Sequence, residues 1–287
     1  LFRTMGWKAP KYVHTAQLMK MDGGSKRKLS KRKDPELALD FYNAEGYPVP
    51  SVLEYLMTLL NTNFEEWRLA NPTAPMGDFQ FTTKKMGNSG SLFDIDKLKD
   101  VSKNTISVIT ADQVFDEVTA WAKDFDPQLY TLLTADQQKA KAIFAIGRGG
   151  AKPRKDIAIW SEVKDYVAFF YEELFTAASE YPENVSTQDA LDILTQYRSL
   201  YSPADDGETW FNKVRELGES LGFAAKPKDY KKNPDQYKGH VGDVSQVISL
   251  AITGSTNSQD QSSEMQILGE EVCQQRLAQA IELLSNR

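Results

Sequence analysis

The sequence predicts a mainly α-helical protein in which a small mixed N-terminal region precedes an all-helical region. From about Asp112 onward, apolar side chains recur every three or four residues, which is the spacing of one face of an α-helix. Residues 61–91 are instead interrupted by Pro and Gly, and no alternating pattern typical of strands occurs beyond residue 110. We therefore predict two domains, residues 1–108 and 109–287.

The N-terminal elements are short. Residues 1–21 are predicted to be extended or irregular, and a Gly-Gly turn signal follows at 22–25. A helix is predicted over 35–44, because Asp34 suits the N-cap and a Pro suits the first helical position. Apolar residues at helical spacing predict a second helix near 52–60.

The region beyond residue 108 is predicted to be helical almost throughout. A long helix is expected after the Gly-rich break at 149–153, with an apolar face formed by Ile159, Val163, Tyr166, Val167, Phe170 and Leu174. The polar, Pro-containing stretch 224–239 is predicted to be a surface loop. The other predicted helices cover about 112–125, 135–146, 187–201, 208–221, 241–253 and 264–285.

Composition limits the possible classes of function. The 287 residues are enough to bury a sizeable core, and 41% hydrophobic with 26% charged residues is typical of a soluble globular protein. A single cysteine, Cys273, excludes an internal disulfide framework, and two histidines make a His-rich metal centre improbable. A reducing, cytoplasmic setting and no membrane span are therefore expected. The chain starts without Met, which we interpret as a sign that it is a piece of a longer protein.

Charge is distributed unevenly along the chain. Residues 1–33 contain ten Lys or Arg and one acid, a net charge of +9, so the other 254 residues carry −15. The basic run 26–33 lies between the Gly-Gly turn and the predicted helix start, where its amides and cationic groups can converge on one anion. Most such runs are merely solvated loops or localisation signals, and the run alone does not decide between these interpretations.

Several segments, in order, resemble bacterial glutamyl-tRNA synthetases, which are class I aminoacyl-tRNA synthetases. Lys28-Leu29-Ser30-Lys31-Arg32 resembles that family's mobile Lys-Met-Ser-Lys-Ser-type loop. Ordered matches along most of the chain are more specific than any single motif. The other matching segments lie at 6–14, 45–56, 91–98, 249–255 and 268–277. The family's N-terminal nucleotide-binding half carries a His-Ile-Gly-His-type motif, and nothing like that motif is found in this sequence.

The resemblance implies a C-terminal piece of the enzyme, comprising the end of the catalytic domain, a stem-contact region and a helical anticodon-binding domain of the α-helical cage type. It implies that the loop Lys28 to Arg32 binds ATP, with Lys31 as the catalytic residue that stabilises charge on the phosphates. Lys28 would assist, and the Ser30 hydroxyl would shape the loop. Two departures from the family pattern bear on loop length: a longer interval between Asp22 and Lys28, and Lys33-Asp34 in place of the usual His-Gly.

The resemblance also implies the partners. The complete enzyme would use ATP, glutamate and tRNA, with Mg²⁺ held mostly by the other half and by ATP; this piece alone would not charge tRNA, and a monomer is expected. The segment 139–155 contains six Lys or Arg and no acid, which is typical either of a solvated face or of an RNA contact. Its predicted tRNA-binding residues are Arg148, Lys152, Arg154 and Lys155.

Two alternatives stay open at the level of the sequence. The first is a non-catalytic tRNA-binding or helical interaction module that merely contains a basic loop. The second is glutaminyl-tRNA synthetase, whose anticodon-binding part is built of β-barrels and therefore agrees poorly with the helical periodicity of residues 112–285.

Overall fold

The computed structural model describes residues 1–87, 89–256 and 260–286. The chain forms two compact units, which are described separately. The first comprises Leu1–Asp126 and Lys152–Val163, and the second comprises Pro127–Ala151 and Lys164–Arg287. Helices dominate the described residues, which confirms the prediction of a mainly α protein with a small mixed N-terminal region. The domain boundary after residue 108 stays a prediction; the first compact unit also contains the helix that follows it.

The first unit combines a three-stranded sheet with helices. Its strands, in the spatial order β2-β1-β3, are β1 (Leu18–Asp22), β2 (Ser25–Lys28) and β3 (Ser91–Leu92). β1 pairs antiparallel with β2 and parallel with β3. The helices are α1 (Leu39–Glu45), α2 (Val49–Leu60), α3 (Phe64–Ala70), α4 (Ile95–Val108) and α5 (Ala111–Phe125). Short 3₁₀ helices cover Pro35–Leu37, Met76–Asp78, Thr83–Lys85 and Trp160–Glu162.

The core of the first unit lies beside this sheet. Helices α2 and α4 pack against each other, and the Tyr55 hydroxyl accepts a hydrogen bond of 2.6 Å from the amide of Asp94 at the start of α4. Gly46 ends α1 in the left-handed conformation, and a Cβ at this position would lie 2.7 Å from the Cβ of Trp160. These contacts fix the helices that surround the sheet. The buried core cluster consists of Leu29, Tyr47, Tyr55, Phe93, Leu98 and Ile159.

The second unit is helical. Its helices are α6 (Pro127–Ala135), α7 (Gln137–Ala145), α8 (Val163–Val167, whose first residue belongs to the first unit), α9 (Thr187–Leu200), α10 (Gly207–Ser220), α11 (Pro227–Lys232), α12 (Val241–Thr253), α13 (Gln261–Leu268) and α14 (Glu270–Ser285). 3₁₀ helices cover Ala168–Phe170 and Pro234–Gln236. Helices α9, α12 and α14 pack around a core in which Tyr197 accepts a 2.7 Å hydrogen bond from the Trp210 indole. No helix in the described ranges is long and apolar enough to cross a membrane.

Several predicted elements need correction. The long helix after residue 153 is wrong, because the chain forms only short helical pieces from 160 to 170. Residues 157–160 are all buried, so the apolar spacing in this region does not mark one face of a helix. The helix predicted over 35–44 divides into a 3₁₀ helix and α1. Similarly, the helix predicted over 264–285 breaks at Gly269, and the predicted loop 224–239 contains α11.

Candidate functional site

A β-hairpin carries the basic run. β1 and β2 meet at Gly23 and Gly24, whose φ angles of 55° and 85° are both positive, as a type I′ hairpin turn requires. The turn fixes the register, so that Asp22 lies opposite Ser25 and Lys20 lies opposite Arg27. Residues 1–21 were predicted to be extended or irregular; β1 forms because β2 and β3 flank it on both sides. The hairpin therefore fixes the position of Leu29, which follows β2 directly.

Leu29 anchors the loop that follows the hairpin. Its side chain is buried in the core cluster of the first unit. Its amide donates a 3.2 Å hydrogen bond to the carbonyl oxygen of Leu18. This apolar side chain, which interrupts the charge run in the sequence, thus ties the basic residues on either side of it to the core.

The next residues form a closed turn. The carbonyl oxygen of Ser30 accepts hydrogen bonds from the amides of Lys33, at 3.0 Å, and Asp34, at 2.9 Å. The Ser30 hydroxyl also accepts a longer hydrogen bond, of 3.4 Å, from the amide of Arg32. This contact places the hydroxyl inside the turn, and the shaping role of Ser30 stays a prediction.

A bidentate ion pair connects the turn to the hairpin. The Arg27 guanidinium donates two hydrogen bonds of 2.7 Å to the two carboxylate oxygens of Asp34 and a third, of 2.6 Å, to Asp22. The Asp34 side chain is buried and also accepts a 2.7 Å hydrogen bond from the Ser30 amide. Asp34 occupies the N-cap position, as predicted, but its carboxylate binds these groups and does not cap the 3₁₀ helix.

A second ion pair lies beside the first. Lys20, the cross-strand neighbour of Arg27, pairs with the buried carboxylate of Glu36, and its ammonium lies 3.9 Å from an Asp34 oxygen. Two cations on one face of the hairpin therefore hold two acids on the segment after the loop. We call Lys20, Arg27, Asp34 and Glu36 the hairpin clamp. Sequence reasoning missed this clamp; the Gly-Gly turn could have supplied its cross-strand register, but not its contact with Asp34 and Glu36.

The remaining cations of the run point into solvent. Lys26, Lys28, Lys31, Arg32 and Lys33 are exposed, and within the described part of the chain none of them has an ion-pair partner. Uncompensated cations on a short, anchored loop attract a polyanion. The loop predicted to bind ATP thus presents three of its residues outward and buries Leu29.

The clamp makes the stability of this region dependent on pH. Hydrogen bonds from the Arg27 guanidinium, and then from the Ser30 amide, hold the pKa of Asp34 well below its usual range. Lys20 acts in the same direction, whereas the burial of the carboxyl opposes the shift. A lowered folded-state pKa stabilises the fold above the unfolded-state pKa of about 3.9, and this contribution is lost as pH falls toward the folded-state value.

We therefore expect the acid unfolding of this chain to begin at higher pH, and to depend less steeply on pH, in Asp34→Asn than in the unmodified protein. Asp22 and Glu36 lie in the same cluster, so the two proteins must be compared over pH 2 to 6 by near-UV circular dichroism. Asp78→Asn, which alters an acid outside the clamp, serves as the control. Identical acid transitions for Asp34→Asn and the unmodified chain would contradict the expectation.

The predicted RNA-contact residues fall into both compact units. Arg148, in the second unit, donates a 2.8 Å hydrogen bond to the carbonyl oxygen of Phe144 near the end of α7. Lys152, Arg154 and Lys155 belong to the first unit, and both lysines are exposed. The Arg154 guanidinium donates hydrogen bonds of 2.7 and 3.0 Å to Asp156. The guanidinium of this predicted tRNA-binding residue is therefore engaged by a carboxylate in this structure.

Comparison with known proteins identifies clear relatives of this chain. The sequence is 48% identical, over 277 residues, to a glutamate–tRNA ligase of Acetivibrio thermocellus, a match that covers 96% of this chain and 51% of that protein. It is 46% identical, over 276 residues, to the glutamate–tRNA ligase of Clostridium beijerinckii. Over nearly its whole length the chain is similar to glutamate–tRNA ligases. It corresponds to a C-terminal portion of these enzymes and spans about half the length of the curated relatives that it matches.

Comparison with solved structures identifies proteins that share the fold of this chain. A glutamate tRNA ligase from Elizabethkingia meningosepticum, solved in complex with its amino acid, aligns with 98% of this chain and 53% of its own, with a TM-score of 0.64 and 18% identity. The glutamate–tRNA synthetase of Elizabethkingia anophelis aligns over the same shares with a TM-score of 0.63. At this identity the likeness concerns the fold alone. No family model matches the sequence.

Proposed function

We propose that this chain is the part of a glutamate–tRNA ligase that supplies the phosphate-binding loop and tRNA contacts to an ATP-dependent ligation. The observation that carries the proposal is the placement of Lys31. Its side chain is exposed and has no ion-pair partner in the described ranges, while the turn that bears it is tied to the core through Leu29 and to the hairpin through Asp34.

The proposed reaction has two steps. A glutamate carboxylate oxygen attacks the α-phosphorus of ATP, the bond to the bridging oxygen breaks, and pyrophosphate leaves. The glutamyl group then passes from the adenylate to a hydroxyl of the terminal ribose of tRNA, and AMP leaves. Lys31 contributes a compact positive charge beside the phosphates, where negative charge accumulates on the leaving group. Lys28 and Arg32 add further donors on the same loop.

Within the described residues, the surroundings of the loop do not form a Mg²⁺ site. Asp22 and Asp34 are both engaged by Arg27, Glu36 is engaged by Lys20, and the exposed charged residues of the loop are cations. Over the described residues, no three His, Cys, Asp or Glu side chains are grouped as a metal site would need. The residues present do not fit a cation, so no step is routed through one.

The tRNA contacts are proposed for Arg148, Lys152, Arg154 and Lys155. Lys152 and Lys155 are the stronger candidates for phosphate contacts, because both are exposed, whereas Arg154 would have to exchange Asp156 for RNA. The relatives reported above are ligases, which favours this proposal over a non-catalytic tRNA-binding or helical interaction module. The proposed setting is the cytoplasm, and the proposed state is a monomer.

This chain by itself is expected to bind tRNA weakly, with a Kd of about 1 to 100 μM near physiological salt, and not to charge it. Filter binding and aminoacylation assays, run beside a full-length enzyme that contains this chain, measure both properties. Lys152→Ala with Lys155→Ala should weaken binding and lower the slope of log K against log salt by about 2.

The matched control is Lys99→Ala, which removes a lysine of the same unit that is paired with Glu162 at 3.0 Å. It should leave both the affinity and the salt slope unchanged. If this chain alone charges tRNA, the proposal that charging needs the rest of the enzyme is refuted. A salt slope that responds equally to Lys99→Ala would refute the assignment of Lys152 and Lys155.

A further inference from the structure

The basic run contains two kinds of cation, which the structure separates. Arg27 and the neighbouring Lys20 are occupied by acids, whereas Lys28, Lys31 and Arg32 have no ion-pair partner in the described part of the chain. We propose that the hairpin clamp positions Lys31 for the ATP step, so that Arg27 and Asp34 are positioning residues of the ligase reaction. This inference rests on the function proposed above and adds to it two residues that lie outside the motif.

The geometry supports a positioning role. The Asp34 carboxylate holds the Ser30 amide on one side of the turn, and the Asp34 amide is itself bonded to the Ser30 carbonyl oxygen. Residues 31–33 therefore span between two points that are fixed to each other. Arg27 fixes Asp34 in turn through two parallel hydrogen bonds, which restrict both the distance and the plane of the carboxylate.

The charge balance argues against a direct phosphate contact by Arg27. Its guanidinium already donates three hydrogen bonds to two carboxylates, Asp34 and Asp22, and a fourth goes to the carbonyl oxygen of Lys28. An anion at this guanidinium would have to displace the buried Asp34 carboxylate or the exposed Asp22 carboxylate, whereas Lys31 has no ion-pair partner to give up in the described part of the chain. The clamp thus contributes by holding the loop, and the exposed cations contribute charge.

A positioning role has a kinetic signature. Loss of the clamp leaves the charge of Lys31 intact but allows its ammonium to sample a wider volume. Misplacement by about 1 Å of a group that acts in the transition state can cost on the order of 100-fold in rate. The loss should fall on kcat for adenylate formation, because the interaction is strongest in the transition state, and not on tRNA binding.

The test uses a full-length enzyme that contains this chain and measures ATP–pyrophosphate exchange. For Asp34→Asn we expect kcat to fall about 10- to 100-fold, with KM for ATP and Kd for tRNA changed less than about threefold. Arg27→Lys keeps the charge but cannot make both hydrogen bonds, so an intermediate loss is expected. The double variant Arg27→Lys/Asp34→Asn should lose little more than Asp34→Asn alone, since both act through one contact.

Two controls separate positioning from general stability. Glu65→Gln breaks the exposed pair with Lys97 and should leave kcat unchanged. Ser102→Ala removes a buried hydroxyl that donates a 2.6 Å hydrogen bond to the carbonyl oxygen of Ala158. This variant should lower the melting temperature without lowering kcat. If Ser102→Ala lowers kcat as much as Asp34→Asn does, or if the Arg27 and Asp34 losses multiply independently, the positioning role is overturned.

The outcomes also distinguish this inference from the proposed function. Reduced exchange in Lys31→Ala with normal exchange in Asp34→Asn overturns the clamp and leaves the function of the loop standing. Normal exchange in Lys31→Ala overturns the proposed role of the loop, and with it the clamp. If Asp34→Asn fails to fold, Asp34→Glu and Arg27→Lys replace it; unaltered kcat in both would equally overturn the inference.

Discussion

Replacing Lys31 by Ala in a full-length ligase that contains this chain is expected to slow adenylate formation about 100- to 1000-fold, the usual effect of removing one preorganised electrostatic donor. The Kd for tRNA should change less than about threefold, because one phosphate contact contributes little to a large RNA interface. ATP–pyrophosphate exchange and filter binding measure the two quantities separately. The expected separation follows from charge that develops on the leaving pyrophosphate only as the α-phosphorus is attacked.

The chain offers a matched control for this variant. Lys33 lies two residues away on the same turn, is exposed, and has no ion-pair partner in the ranges described, but it falls outside the motif Lys28 to Arg32. Lys33→Ala should lower exchange by less than about fivefold, since its loss changes mainly the long-range field. Equal losses of exchange and of tRNA binding in Lys31→Ala would assign this lysine to RNA binding. Equal losses of exchange in Lys31→Ala and Lys33→Ala would contradict the proposed role of Lys31 beside the phosphates.

Helices with local signals could be predicted from the sequence. The predicted helix 187–201 corresponds to α9, where the Ser186 side chain accepts a hydrogen bond from the Asp189 amide. The predicted helix 208–221 corresponds to α10, which Asp206 caps through the Thr209 amide. A cap and an apolar face lie within one or two turns of each other, so the information is contained in a short window of sequence.

The segment after residue 153 shows where this logic fails. Buried residues occur at every position from 157 to 160, and helical spacing cannot distinguish such a run from one face of a helix. A similar failure concerns Arg154. The segment 139–155 contains no acid, but Asp156 follows directly and binds the guanidinium. A count of charges over residues 139–155 therefore missed Asp156, the partner of Arg154, which lies one residue beyond that segment.

The sequence supports a prediction of the exposed part of the candidate site, but not of the contacts that hold that part in place. The resemblance to the synthetase loop predicts Lys31 as the catalytic residue, and its side chain is exposed in the structure. The clamp combines residues 20, 27, 34 and 36, whose meeting depends on a hairpin register and on the path of the chain after the loop. The unusual Lys33-Asp34, which departs from the family pattern, becomes intelligible through this contact: Asp34 supplies the carboxylate that Arg27 binds.

The largest loss of stability is expected from Arg276→Ala in the second unit. The Arg276 guanidinium is buried, lies 3.5 Å from the centre of the Phe175 ring, and donates hydrogen bonds of 2.8 and 2.7 Å to the carbonyl oxygens of Phe169 and Ile252. It also pairs with Glu172 at 2.5 Å. Removing it leaves two carbonyl groups without their donor and opens a cavity, at a cost of about 3–5 kcal/mol.

The partner carboxylate provides the control. The Glu172 side chain is 64% exposed, so water already solvates much of it, and Glu172→Gln should cost less than about 1 kcal/mol. Urea unfolding measures both free energies, and hydrogen exchange of the α12 and α14 amides assigns the loss to this unit. Because the two carbonyl oxygens lie on segments far apart in sequence, Arg276 acts as a buried crosslink. A cost below about 1 kcal/mol for Arg276→Ala, or one equal to that of Glu172→Gln, would show that the ion pair and not the carbonyl contacts governs the effect.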